Sequence, residues 1–414
     1  MIVKRLAVIL AFAAVITAGI AARVGNIDGD GNKSPDEAVY TAQAKHLTGG
    51  KIIVTRGLVK TYNADKNKWL YPNPMRIGYL WPLSYFMEAT GLRDYRAGSY
   101  ISVFCSIVSL ILVVFFGLRY FNKWIALYAV LALAASPMEL AVSIRAWQDA
   151  VCGCLGLGLI FLTAVCVKAK GRLTLLVPFV LAGTYYFMVK EAGVLLYLLC
   201  LLWLLSSLAR EKMFYRMLSA FILVLISAAA GVSFMAYALG GIGNMLEVIK
   251  HISEAMPFND YAVCYQSGPW HNVIYGLFIL SPVNVLLCFA GIAGFVFYRR
   301  KSCEGGLDHE TSFWLIAILA VYIIVMTWAP FCQNIRYLSP VYGVFYLVAG
   351  IGAWYIYIYL RSKLKGGALK AAVCLIAAVT VYSAASDYAY FRKALHDMEI
   401  VDITIKALES RPRF

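Results

Sequence analysis

The sequence predicts an all-α, polytopic integral membrane protein with about eleven transmembrane helices, on three observations. Hydrophobic residues make up 62% of the 414-residue chain and charged residues only 14%, against about 25% charged in a soluble domain. Apolar stretches of roughly 17 to 25 residues recur along it, each long enough to cross ~30 Å of hydrocarbon as a helix. Lys and Arg gather at alternate connections between these stretches, the pattern of a chain that keeps its basic loops in the cytoplasm.

The expected spans are 6–22, 98–118, 124–137, 146–166, 173–189, 192–208, 217–238, 272–297, 312–328, 337–359 and 369–386. The first follows Lys4-Arg5 and resembles a signal peptide, with small residues in "TAGIAARVG", but it reads better as an uncleaved helix. The third is short and stops at Pro137. With the N-terminus inside, the cytoplasmic connections carry 17 basic residues and the short outer loops four: Arg145, Lys190, Lys250 and Arg336. The formal charge of +15 is thus topology plus contact with anionic lipid, and nucleic acid is not an expected partner. Most of the ten cysteines fall within spans, where a thiol packs as a small apolar group. Cys264 and Cys332 fall in outer loops, without spacing that argues for a bridge.

The chain reads as one membrane domain with three segments outside the cytoplasm: a first loop 23–97, a second loop 239–271, and a tail 387–414. Inner connections are too short to fold into a nucleotide-binding domain. In the first loop, "PDEAVYTAQAKHL" predicts a helix with Pro35 at its opening and acids in its first turn, where the helix dipole favours them. "GYLWPLSYFMEATG" is aromatic, interrupted by Pro82 and too short to span, so it is expected along the outer membrane surface.

Residues 26–40, "NIDGDGNKSPDEAVY", concentrate acids in an otherwise basic chain. One reading is a metal loop. On the twelve-residue EF-hand pattern Asn26, Asp28, Asp30, Asn32, Ser34 and Glu37 supply oxygens at positions 1, 3, 5, 7, 9 and 12, and Gly31 takes the sharp turn at 6. That makes a divalent cation, calcium or magnesium, a candidate cofactor. Against it, position 1 is Asn, Lys33 replaces an apolar residue at position 8, and the preceding helix is a span. The plainer alternative is a solvated Asx/Gly turn. "DGD" also fits a DxD pattern, but three residues carry little.

The other reading is catalytic, with Asp36 and Glu37 opening an outer helix and Tyr40 one turn on. Here the sequence resembles the GT-C membrane glycosyltransferases, in particular the protein O-mannosyltransferase and lipid A aminoarabinose transferase group. The run "DEAVYTAQAKHLTGG" is similar to that group's "DE..Y...A..l..G" in the first outer loop. The resemblance continues through "YPNPMRIGYLWPL", "RAWQD", "VKEAG" and "RYLSP", in that order. It implies a sugar donor carried on a polyprenyl phosphate, an acceptor that is a glycan, lipid or protein, and hexosyl or pentosyl transfer with inversion. It also implies Asp36 as the base of the Asp36-Glu37 pair. Arg76 stands where relatives place a basic residue for the donor phosphate, although the aminoarabinose relatives have an acid–lysine–proline run there and this chain has "NPMRIG". Tyr40, Lys190 and Arg336 are further candidates for that phosphate. Lys190 reads rather better as an interface anchor, and Arg336 equally well as a contact to a lipid headgroup. Arg145 and Asp149, four residues apart, read as an ion pair on one helix or as substrate contacts. Glu139 has no evident partner, and His251 and His271 read as incidental. The rival functions are a transporter or flippase of a lipid-linked substrate, expected to show matched halves, and a non-catalytic membrane subunit with a calcium-binding loop.

Overall fold

The structure, a computed structural model, describes residues 2–27, 34–191, 193–298 and 307–396, and among these every regular element is helical. Helix α1 (Ile2–Val24) is followed by three helices of the first loop, α2 (Pro35–His46), α3 (Lys51–Ala64) and α4 (Ile77–Thr90). The bundle continues with α5 (Tyr95–Tyr120), α6 (Lys123–Ala135), α7 (Pro137–Ser143), α8 (Asp149–Lys168), α9 (Leu173–Val189), α10 (Gly193–Arg210) and α11 (Phe214–Leu239). The second loop holds α12 (Ile242–Ala255) and α13 (Asp260–Tyr265), and α14 (Asn272–Leu280), α15 (Pro282–Tyr298), α16 (His309–Trp328), α17 (Tyr342–Lys363) and α18 (Gly366–Tyr390) complete the chain.

All eleven apolar stretches are helical, but they are not eleven straight crossings. Eight described helices are long and apolar enough to span, α9 is a shorter apolar helix, and two further stretches are bent pairs. The third stretch runs past Pro137: α6 and α7 meet at 58°, with Ser136 Oγ accepting from Glu139 N at 3.3 Å to cap the new helix. The 272–297 stretch turns by 116° between α14 and α15. Pro282 there lacks the N–H that would continue the ladder, so a single straight span is corrected to a sharp bend.

Packing separates the helices into an inner and an outer set. Inside lie α8 and the 335–363 stretch containing α17, 61% and 72% buried over their apolar windows; outside lie α1, α11 and α18, at 11%, 11% and 6%. Helices that bury so little against protein are the ones that face lipid. Outer helix α1 is nevertheless pinned at its end. Arg23 is fully buried and donates to Ser106 Oγ at 2.7 Å and to the carbonyls of Ala134 and Leu133 at 3.2 and 3.3 Å. Ser106 in turn donates to Glu139 at 2.7 Å, which gives that acid the partner the sequence did not reveal.

The basic inner connections meet at one end of the bundle, where Lys168 lies 2.5 Å from Asp308 and Arg210 pairs with Glu310. At the opposite end α2, α3 and α4 lie across the bundle. Helix α4 buries Leu83, Ser84 and Met87 and packs on both α2 and α9, so it is wedged against the bundle as well as short. Gly78 makes this possible: a Cβ there would sit 2.8 Å from the Met188 carbonyl carbon and 2.9 Å from the Val189 nitrogen. Cys332 is a free thiol. Asp387, expected to begin the tail, is instead buried within α18 and accepts from Ser281 Oγ at 2.7 Å.

Candidate active site

The four motifs after the first loop run converge on α2. Helix α2 starts with Pro35 at N1 and a complete capping box. Ser34 Oγ accepts from Glu37 N at 3.3 Å, and Ser34 N donates to Glu37 Oε2 at 3.1 Å, satisfying two backbone groups the helix start would otherwise orphan. Ala146 N donates to Glu37 Oε1 at 2.9 Å, Arg145 Nη1 lies 3.7 Å from Oε2, and the Trp147 indole donates to Ser34 Oγ at 3.0 Å. Glu37 is therefore 1% exposed and turned into the protein. It locks α2 to the turn between α7 and α8.

Asp36, one residue earlier, faces the other way. Its side chain is 29% exposed, and its Oδ2 accepts from Arg336 Nη2 at 3.0 Å. Arg336 comes from a 3-10 turn at Ile335–Val341 leading into α17, and its guanidinium lies 5.4 Å from the ring centres of both Trp147 and Tyr337. The other edge of the site is Arg76, at the N-cap of α4. Arg76 donates to the Tyr40 hydroxyl and lies 3.6 Å from Glu191, which Asn73 also contacts at 3.1 Å. The Nε of Arg76 is buried and has no acceptor among the described residues.

Lys190 and Asp149 form the last pair, at 2.7 Å, with the Lys190 ammonium 4.4 Å from the centre of the Tyr337 ring. Arg145 and Asp149 are thus not partners, which corrects the pairing expected from their spacing. The residues between them form a turn, α8 begins only at Asp149, and a four-residue spacing brings side chains together only on a continuous helix. Lys190 is extended (φ −156°, ψ 134°), so it and the adjacent Glu191 reach different partners. Glu191, Asn73, Trp147 and Tyr337 carry no local signal of their own, although all four stand inside the quoted motifs.

The site is thus built from four acids and four cations in two tiers. Arg145–Glu37 and Lys190–Asp149 are deeply buried, no side chain more than 9% exposed, whereas Asp36–Arg336 and Arg76–Glu191 include side chains 29% and 38% exposed. The upper pairs are accessible to a substrate, and the lower pairs hold the upper ones in place. Burial works against the charge of Arg76, yet the Tyr40 hydroxyl and Glu191 hold its pKa above the ordinary value. Burial would raise Glu191, but Arg76 and the Asn73 amide hold it below the ordinary carboxylate range. Burial also opposes the Lys190 charge, and Asp149 more than offsets it. The Tyr40 phenol is pushed well up by burial, with Arg76 offsetting only part, so Tyr40 keeps its proton as a hydrogen-bond donor.

For a metal ion, the described residues gather no group of three His, Cys, Asp or Glu side chains. Asn26 is engaged through its amide with Arg392 and the Ala22 carbonyl, Glu37 as above, and Asp28, Asp30 and Asn32 lie outside the described residues. His251, on α12, stacks on Trp69 at 3.7 Å between ring centres and lies 3.7 and 3.6 Å from Glu247 and Glu254.

A sequence profile of the dolichyl-phosphate-mannose-protein mannosyltransferase family matches residues 74–231. No protein of curated function matches the chain. Among solved structures, the fold is similar to ArnT from Cupriavidus metallidurans bound to undecaprenyl phosphate, with a TM-score of 0.58 and 14% identity over 96% of this chain and 77% of that one. It is also similar to the Archaeoglobus fulgidus oligosaccharyltransferase crystallised with zinc and sulfate, with a TM-score of 0.58 and 12% identity over 91% of this chain and 53% of that one. This chain therefore spans about half the length of the archaeal protein. Residues 74–231 are less than half of the chain, and over the rest the likeness is one of fold.

Proposed function

We propose that this protein is an inverting glycosyltransferase. It moves a hexosyl or pentosyl group from a polyprenyl-phosphate donor to an acceptor hydroxyl, on the outer face of the cell membrane. The observation that carries the reading is the Asp36–Arg336 pair: an accessible carboxylate held by a cation that a lipid phosphate would also seek. The positive-residue bias supports the outer placement, and a donor carried on a membrane lipid suits a site at that face.

The chemistry follows from the accessible tier. The donor phosphate takes hydrogen bonds from Arg76, whose Nε has none to lose, and from Arg336, and Tyr40 supplies a neutral donor beside them. Once Arg336 turns to the phosphate, Asp36 is released to accept the acceptor's proton. The acceptor oxygen forms a bond to the anomeric carbon as the carbon–phosphate oxygen bond breaks on the opposite face, and the polyprenyl phosphate departs with the bonding pair. Charge grows on that phosphate in the transition state, where fixed cations stabilise it most. Ser34 and Glu37 enter this reading as the support of α2, and no step passes through a metal ion. A divalent cation bound by Asn26, Asp28, Asp30, Asn32 and Glu37 would require Asn26 and Glu37 to exchange the partners they have. A transporter would instead favour charges at mid-membrane, whereas here the eight charges sit together at one end of the bundle.

The test is donor consumption. Purified protein incubated with a panel of polyprenyl-phosphate sugars is expected to bind one class and release its polyprenyl phosphate. Arg76→Ala should weaken that binding at least tenfold, and Arg76→Lys should recover only part, since an ammonium replaces a two-pronged guanidinium. Unchanged donor affinity in Arg76→Ala would remove Arg76 from the phosphate site.

A further inference from the structure

Against α3 lies a basic cavity of about 490 Å³, lined by Arg56, Lys60, Tyr237, Gly240, Gly241 and Asn244. None of its lining residues is acidic. Arg56 and Lys60 stand one turn apart on α3, on one face. Arg56 donates through Nε and Nη2 to the Tyr237 carbonyl at 3.2 and 2.8 Å, and its guanidinium lies 4.8 Å from the centre of the Tyr237 ring. Two of its five N–H groups are thus used to fix the guanidinium, and three remain. Lys60 is exposed and adds three more donors. The floor is the turn from α11 to α12, where Gly240 and Gly241 take φ of 84° and 129°. A side chain would be strained at both positions, and a Cβ on Gly240 would meet Arg56 and Asn244 at 3.2 and 3.1 Å.

What lies below the cavity indicates its occupant. Helix α11 packs little against protein, and Phe234, Tyr237, Ile242 and Leu246 around the cavity are 42%, 59%, 56% and 56% exposed. A lipid-facing apolar surface therefore rises to a rim of two positive charges at the point where a span ends. That arrangement suits a molecule with an anionic head and hydrocarbon tails. We propose that the Arg56–Lys60 cavity binds the phosphate group of a membrane lipid, separately from the site around Asp36. Guanidinium and ammonium donors together match phosphate oxygens, and basic residues at a membrane surface favour anionic headgroups.

An occupied cavity would also brace the proposed donor site, and this step alone rests on the function proposed above. Val59 and Tyr62 of α3 pack in one cluster with Met75 and Ile77, the residues on either side of Arg76. Trp81 of α4 donates to Thr55 of α3 at 3.3 Å.

The test reads binding without turnover, so its outcome is independent of sugar transfer. Full-length protein in zwitterionic nanodiscs is titrated with phosphatidylglycerol, undecaprenyl phosphate or inorganic phosphate, and bound species are counted by native mass spectrometry. Arg56→Gln/Lys60→Gln is expected to weaken binding roughly thirtyfold, two surface charges each contributing a factor of about five. Lys60→Gln, which keeps the Arg56 bond to Tyr237, should lose about fivefold and melt like the wild type before lipid is added. Loss confined to phosphatidylglycerol assigns the site to bulk phospholipid, and loss confined to undecaprenyl phosphate assigns it to a lipid carrier. Competition by inorganic phosphate with the same dependence on Lys60 identifies the phosphate group itself as the recognised element. Unchanged affinity for all three probes in Lys60→Gln would overturn the proposal, as would an equal loss in Lys250→Gln, an exposed cation on α12.

Discussion

Asp36→Asn is expected to leave the protein folded and to lower turnover by about 10²- to 10⁴-fold, the usual contribution of a positioned general base. The amide keeps the shape of the side chain and can still accept a hydrogen bond from Arg336, but it cannot take the acceptor's proton. Little stability should be lost, because the Asp36 side chain is 29% exposed and partly exposed ion pairs contribute little. The neighbouring acid should behave in the opposite way. Glu37→Ala removes the acceptor of the Ala146 and Ser34 amides and one partner of Arg145, and each buried donor left unsatisfied costs about 1–3 kcal/mol. Melting temperature and turnover measured together on both variants separate the two roles. Near-normal turnover in Asp36→Asn would rule out Asp36 as the base, and Glu37 could not replace it, since its carboxylate is buried among backbone amides.

The second large effect is expected at the Lys190–Asp149 pair. Lys190→Met leaves Asp149 buried, 3% exposed, without the ammonium 2.7 Å away, a change that costs about 3–5 kcal/mol. The double variant Lys190→Gln/Asp149→Asn should recover much of that loss, because two neutral amides can hydrogen-bond to each other where a lone carboxylate cannot be satisfied. Thermal melting in detergent checks both. If Lys190→Met melts like the wild type but loses donor affinity, Lys190 is a phosphate ligand and the pair is not what holds the turn before α8 in place.

The helical, membrane-spanning fold was legible because it rests on composition and length, which need no knowledge of neighbours. The helix at Pro35 was legible for a local reason: Ser34, Pro35 and Glu37 form a capping box that three residues suffice to write. The residues the motifs singled out lie together, since Arg76, Arg145, Asp149, Lys190 and Arg336 enter one cluster. Their pairing was not legible. Arg145 and Asp149 have the spacing of a helical ion pair, and only the turn that delays α8 until Asp149 sends them to different partners. Lys190 and Glu191 are adjacent, and only the extended backbone at Lys190 sends them to the different partners Asp149 and Arg76. Gly78 carried a quieter signal. Its missing side chain lets α4 approach the backbone at Met188–Val189 and so brings Arg76 beside Glu191, a tertiary contact no local pattern encodes. The bend before Pro282 was hidden for the reverse reason: hydropathy averages over a proline that the backbone cannot ignore.

The central claim is that one accessible base, Asp36, faces a lipid-phosphate donor held by Arg76 and Arg336. It is tested most directly by the anomeric configuration of the transferred sugar. With a polyprenyl-phosphate sugar of known configuration, the anomeric proton–proton or carbon–proton coupling in the product reports the outcome. A single displacement assisted by Asp36 predicts inversion for every molecule of product. Retention would mean that a carboxylate attacks the sugar first and is then displaced, a chemistry that contradicts Asp36 acting as a base.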